Sequence, residues 1–368
     1  MTAPPVVLPK SSLNKMAKTL GSAPAELQPL ARNLIEHGCG EQAELDGNAG
    51  KVRLRIGDYS TPIYQYDESF TKTREDRQRT GWFLARSYQA GWSINAGTDG
   101  NVAPGAKVPV KTGMVAGTGN DQICFVEDRR LQKCWEYWIF QQAEINGLHG
   151  DNIAAGYLDT STPRIVNGAT SVYLPFSLTS NPIGDRGFGL IRRALITTAE
   201  EIATGRVMHP GLLSIPATWW CDNLPGTQGV DWLLPARRCE FEEGQSGRPE
   251  GYDPDRRQFN SLEGLRIAAP TITPSMRESF VYERTVDPAQ RWFWKVILGQ
   301  WAVYGLVVGE TGGYGMGVVT DGMLGPAASQ YEDWSFEQSL LAGHTQEDLM
   351  SEFLNTFIDH WIVVRPAA

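Results

Sequence analysis

Long apolar runs are missing from this chain. The longest near its start is Val6-Val7-Leu8, flanked by prolines. A signal peptide uses about 7–15 apolar residues, and a membrane span needs about 18; neither is present. The expectation is a chain that stays in the cytosol, leaves it by another route such as inside a virion, or has had a leader removed. A basic surplus is missing too. Lys plus Arg is 33 against 42 Asp plus Glu, a formal charge of −9. Electrostatic binding to nucleic acid needs clustered Lys and Arg, so no nucleic-acid partner is expected. The five cysteines, Cys39, Cys124, Cys134, Cys221 and Cys239, form no CxxC pair, which argues against a zinc site built on cysteines. Their odd number leaves at least one thiol free. Cys124 and Cys134 lie at opposite ends of an expected hairpin and are weighed as a disulfide against reduced, buried thiols. The glycine-rich stretch GETGGYGMG (309–317) lacks a GK[ST] ending and a βαβ context, so a nucleotide loop is excluded. No GxSxG, HExxH or kinase motif appears. Asp99 with Asn101, and Asp151 with Asn152, do not fit EF-hand spacing. No metal and no cofactor are expected.

Glycine, proline and tryptophan are plentiful: 39, 22 and 12 residues in a chain of 368. Many turns and many large aromatics point to a turn-rich β protein. The 20% charged and 41% hydrophobic residues fit a globular chain rather than a disordered one.

Periodicity divides the chain into three segments. Residues 1–50 form an N-terminal extension with a short helix from Pro29 to His37, proline at its first position and Gly38 beyond its end. Residues 51–325 carry the strands. KVRLRIGD (51–58) alternates Val52, Leu54 and Ile56 with Arg53 and Arg55, the period of a half-exposed strand. TPIYQYDESF (61–70) does the same with Tyr64, Tyr66 and Phe70. Residues 81–110 read as strand, turn and strand, with Asp99-Gly100 as a hairpin signal. DQICFVEDRRLQKCWEYWIFQQAEIN (121–146) reads as a hairpin turning near Asp128–Arg130, and its second arm is the richest aromatic strand. Residues 145–190 have little periodicity and read as a long functional loop. Thr198 with Glu201 is a capping box, and Gly205 ends that helix. Strands are expected at 211–220, 231–241 and 265–272, a polar loop at 242–262, and a helix feeding a strand over 290–308. Residues 326–368 hold a loop and an amphipathic helix, with Leu349, Phe353, Phe357 and Trp361 four apart. The expected fold is a mainly antiparallel jelly-roll β-sandwich with the short N-terminal helical extension and the C-terminal helix.

Four stretches resemble a family of bacterial and fungal proteins, mostly secreted, with a jelly-roll, lectin-like core. They are DQICFVEDRRLQKCWEYW (121–138), residues 174–216, DWLLPAR (231–237) and LVVGETGGYGMGVV (306–319). The second carries the most specific spacing, with Leu190-Ile191-Arg192, Glu200-Glu201, Gly205, Val207, His209 and Pro216. The resemblance spans roughly 51–320 and implies the sandwich fold, and secretion, although a leader like the family's is missing here. Pro210 follows His209 where the family continues with Ala-Leu.

Three constellations are candidates for chemistry on a polysaccharide or other glycan. The first is the aromatic arm and the loop after it: Glu136, Trp138, Glu144, His149 and Asp151. Sugar cleavage uses two carboxylates about 5–10 Å apart with aromatic rings against the sugar, and Glu136 with Asp67 or Glu68 is one such pair. The alternative has Trp135 and Tyr137 in the core and Glu136 facing solvent. The second is a uronate lyase set, with Tyr or His as base and Arg, Gln or Asn neutralising the carboxylate: Tyr64, Gln65, Tyr137, Gln141, His149 and Arg164. The third is Trp219-Trp220-Cys221-Asp222 with Trp232, where one Trp of the pair faces outward and can stack on a sugar. His209 is expected to be a structural hydrogen-bonding residue. Two functions follow: a glycoside hydrolase, lyase or binder of polysaccharide, or a non-catalytic structural or receptor-binding phage-tail component, which would suit a homo-oligomer.

Overall fold

The structure, a computed structural model, describes residues 20–40, 51–55, 61–65, 82–84, 107–109, 117, 123–128, 133–138, 141–142, 165–166, 169–173, 192–216, 233, 264–312, 316–320 and 346–366. In chain order the strands are β1 (Leu20–Ser22), β2 (Arg53–Arg55), β3 (Ile63–Gln65), β4 (Trp82–Leu84), β5 (Lys107–Pro109), β6 (Cys124–Asp128), β7 (Lys133–Trp138), β8 (Gln141–Gln142), β9 (Ile165–Val166), β10 (Ala169–Tyr173), β11 (Gly211–Pro216), β12 (Arg266–Ala268), β13 (Leu306–Gly312), β14 (Gly317–Val319) and β15 (Ile362–Pro366). The helices are α1 (Pro29–Cys39), α2 (Ala199–Thr204), α3 (Pro274–Arg284), α4 (Pro288–Tyr304) and α5 (Gln346–Thr356).

Seven strands join in the order β1-β15-β12-β13-β11-β14-β2. The sheet is mixed: β11 runs parallel to β13, and β14 parallel to β2, while the other pairs are antiparallel. It takes strands from all three sequence segments. A second sheet, β10-β7-β6-β3, is likewise mixed, with β3 parallel to β6. The described residues therefore make a mixed helix-and-strand architecture and do not display a jelly roll.

Consecutive residues of the central strands are buried together: Leu212 and Leu213, Val307 and Val308, Val318 and Val319. Neighbouring strand residues point to opposite faces, so the middle of the sheet is covered on both sides. This is why LVV and GVV read as unbroken apolar runs rather than alternating ones. At the margin the alternation returns, with Val52 and Leu54 buried and Arg53 exposed.

Helix α4 supplies the largest part of the core. Asp287 caps it, its carboxylate accepting from the Ala289 and Gln290 N–H at 2.7 and 3.0 Å, and Pro288 suits the first turn. Phe293, Trp294, Ile297, Leu298 and Trp301 are fully buried. The chain leaves α4 through Gly305 at φ +86°, where a Cβ would lie 2.2 Å from the Ile267 carbonyl oxygen. Only glycine fits that turn into β13. Buried Arg266 donates from Nε to the Tyr304 carbonyl at 2.8 Å, closing the helix end. Burial lowers this guanidinium to about 10. At the C-terminus, Phe353 meets Phe280, Phe357 and Trp361 edge-on, with centroids 5.3, 5.2 and 6.2 Å apart.

Several local expectations meet the structure directly. The first helix runs two residues past His37, to Cys39. The 121–146 hairpin appears as the β6–β7 pair. The expected C-terminal helix stops at Thr356, and the chain continues through a short 3-10 turn into β15. The strand register decides between the two readings of the cysteine pair, against the disulfide. Cys124 sits opposite Tyr137, and Cys134 opposite Glu127. The two cysteines are three rows apart, too far for a disulfide, and Cys124 is a free, buried thiol. Strands β13 and β14, on either side of the glycine-rich stretch, do not pair with each other, because β11 lies between them.

Candidate functional site

Glu136 is inside the protein, only 3% exposed, which overturns the alternative that turned it to solvent. Its backbone pairs with Phe125 and Ser171, so it stands in the middle of the second sheet. Its carboxylate faces Arg192, Oε1 to Nη1 at 4.0 Å. The other terminal nitrogen of Arg192 holds Glu310 in a direct ion pair. Two carboxylates, one from each sheet, thus share one guanidinium.

Local structure puts each member there. Arg192 opens a short 3-10 turn, Arg192–Leu195, whose four residues are all buried. Glu310 follows an irregularity in the β11–β13 ladder: Leu213 pairs with Val308 and Ser214 with Glu310, so Gly309 is passed over. Such an extra residue re-aims the side chains after it. The sheets are also tied where the chain approaches β3 and leaves β14, the Thr61 N–H donating to the Thr320 carbonyl at 3.1 Å. Burying these charges is costly, and the opposed charges offset that cost. The cluster carries one formal negative charge when all three groups are ionised. Nearby, burial and the Glu136 charge push the Cys124 thiol well up, so it is an inert thiol rather than a nucleophile.

A second polar cluster lies around α2. Thr198 caps this helix: its hydroxyl oxygen accepts from the Glu201 N–H at 3.3 Å, and its own N–H donates to Glu201 Oε2 at 3.0 Å. The Glu201 carboxylate also meets His209 Nε2 at 3.2 Å. On its other side the His209 ring donates from Nδ1 to the Pro210 carbonyl at 2.7 Å. Each ring nitrogen thus faces a hydrogen-bond acceptor. Burial raises the Glu201 carboxyl, but the charge and hydrogen bond of His209, the Arg193 charge and the Thr198 N–H outweigh it and hold it at about 2. Gln300 extends the network, donating to the His209 carbonyl at 3.1 Å and to the Thr197 hydroxyl at 2.8 Å. With both ring nitrogens engaged and 2% exposure, His209 is a structural tie between α2 and β11. It has no nitrogen left for general-base work or a metal.

Of the other candidates from the sequence, Tyr137, Trp138 and Gln141 are described through their backbone, paired with Cys124 and Thr170, with Ala169, and with Val166. Tyr64 is buried, opposite Val126. Asp67, Glu144, His149, Arg164, Trp219 and Trp220 lie outside the described residues. Among the described residues no group of three or more His, Cys, Asp or Glu is placed to hold a metal ion, and no helix is long and apolar enough to cross a membrane. Sequence reasoning missed Arg192 and Glu310. The signal available was two adjacent arginines inside the apolar run GLIRRALI and one acid inside LVVGETG.

No protein-family model matches the chain, and no curated protein or solved structure matches it either.

Proposed function

We propose that the protein acts on or binds a polysaccharide, with Glu136 and Glu310 as the carboxylates of its site. The observation that carries this reading is their meeting on Arg192 from two different sheets. Glycoside cleavage uses two carboxylates in different protonation states, and Arg192, in direct contact with Glu310 but 4.0 Å from Glu136, favours the ionised form of the first more than of the second. Glu136 belongs to β7, KCWEYW, a strand whose sequence is rich in aromatic residues of the kind that stack on sugars. The lectin-like family resemblance and its jelly-roll architecture belong to this proposal.

A second reading is a non-catalytic structural or receptor-binding component of a phage tail. The enclosure of the cluster favours it, since Glu136, Arg192 and Glu310 are 3%, 2% and 5% exposed. An ion cluster so enclosed can serve simply to clamp the two sheets together.

The test is a cleavage screen against neutral and uronate-containing polysaccharides, following reducing ends and the ultraviolet absorbance of unsaturated sugars. New reducing ends without that absorbance mean hydrolysis; both signals rising together mean β-elimination. Neither cleavage nor binding across the panel, with folded protein, refutes the proposal and leaves the structural reading.

A further inference from the structure

Helices α3 and α4 lie side by side, and their outer seam carries an arrangement that the carboxylate cluster does not use. Three levels follow one another along it. Tyr282 faces Arg291, whose guanidinium carbon is 4.3 Å from the ring centroid. One turn on, Lys295 pairs with Glu278 at 2.5 Å. A further turn on, the Nε of Arg277 lies 3.8 Å from where a Cβ of Gly299 would stand. Arg291 to Gly299 is eight helical residues, about 12 Å along the axis. The seam thus carries three cations, one of them paired with Glu278, in a chain whose formal charge is −9.

Arg291 is held in a fixed pose. Its Nε donates to the Thr285 carbonyl at 2.7 Å, and its guanidinium carbon lies over the Tyr282 ring. Among the described residues no carboxylate pairs with it, and its two terminal nitrogens make no hydrogen bond. A guanidinium fork fixed at Nε and open at both ends is prepared for bidentate contact with a carboxylate. Trp292, the next residue along α4, turns its ring toward α2 and is 47% exposed, and Tyr282 is 51% exposed. The indole is also fixed, donating from Nε1 to the Ile202 carbonyl at 3.0 Å, with its ring edge over Gly205. Exposed aromatics held in place lose little freedom when a sugar face stacks on them.

We propose that the α3–α4 seam is a binding site for uronate-bearing oligosaccharide, with Arg291 receiving the sugar carboxylate and Trp292 a sugar face. This rests on the polysaccharide reading and names its ligand class. It is separate from the Glu136–Arg192–Glu310 cluster.

The experiment is calorimetric titration of the full chain with an oligogalacturonate, the same oligosaccharide with its carboxyls reduced to alcohols, a neutral oligoglucan and poly-glutamate. The expected result is binding of the oligogalacturonate, at least about tenfold weaker binding by Arg291→Gln, and little recovery by Arg291→Lys, which keeps the charge but loses the fork. Lys295→Gln, which breaks an exposed ion pair with Glu278 and removes a cation over the Tyr282 ring, is expected to weaken binding by a smaller factor while leaving the fold intact. Helix content followed by circular dichroism establishes that each variant is folded. Oligogalacturonate binding unchanged in Arg291→Gln and Lys295→Gln overturns the site. Equal, Arg291-dependent binding of poly-glutamate overturns its identity as a sugar site. Binding of the neutral glycan alone overturns this inference but keeps the polysaccharide reading; binding of no glycan at all overturns both.

Discussion

Replacing Glu201 with glutamine isolates the electrostatic tie between α2 and β11. In the folded protein this carboxyl lies at about 2, against an ordinary value of 4.5. A drop of that size corresponds to about 3 kcal/mol of folding free energy at neutral pH. The folded value lies below the unfolded one, so the contribution is complete above about pH 5 and is lost as pH falls from 4.5 toward 2. At pH 3 roughly 1 kcal/mol of it remains. Urea unfolding of wild type and Glu201→Gln at intervals from pH 3 to pH 7 measures it, because every other carboxylate titrates in both proteins and cancels in the difference. The gap in stability is expected to be about 3 kcal/mol near pH 7 and to narrow to about 1 kcal/mol at pH 3. His209→Gln is expected to lower stability with a similar pH profile, and the double variant to fall well short of the sum, since both changes remove one interaction. A gap that stays constant across the pH range refutes the reasoning, because the carboxylate would then not be held down by His209.

Other perturbations have signs set by the packing. Arg192→Met leaves Glu136 and Glu310 buried without their shared cation and is expected to cost about 3–5 kcal/mol in urea unfolding. Gly305→Ala forces a Cβ to within 2.2 Å of the Ile267 carbonyl at φ +86° and is expected to lower stability by more than about 1 kcal/mol. Gly299→Ala, in the middle of α4 with only Arg277 Nε at 3.8 Å, is expected to be neutral or to raise stability by up to about 1 kcal/mol. Thermal melts of the two glycine variants side by side compare them, and equal losses would contradict both assignments.

What the sequence disclosed and what it hid follow from the range of the interactions. The capping box of Thr198 and Glu201, the glycine at 205, the proline starts of α1 and α4 and the four-residue spacing of Leu349, Phe353 and Phe357 are local signals. Each stands where the structure has an element or its end. Helix α3 was not expected from the sequence; its mean hydropathy is low and only its Phe280 and Val281 are buried. Strand order was not legible. Residues 306–319 look like one continuous pair, and nothing local tells that residues 211–216 lie between its arms. Nor does the pairing of residues 20–22 with residues 364–366 leave a mark in either segment. The carboxylate cluster shows the same division. Glu136 stood out because its strand is aromatic, but its partners arrive from positions 192 and 310, which only the tertiary fold unites.

The polysaccharide reading is tested most directly by the turnover of Glu310→Gln beside wild type, on whichever polysaccharide the screen shows to be cut, with both proteins matched for fold by near-ultraviolet circular dichroism. If Glu136 and Glu310 carry the chemistry, new chain ends form with wild type, and the glutamine variant is slower by about a hundredfold or more. Undiminished cleavage by Glu310→Gln, or no cleavage and no binding of any polysaccharide by wild type, would contradict it.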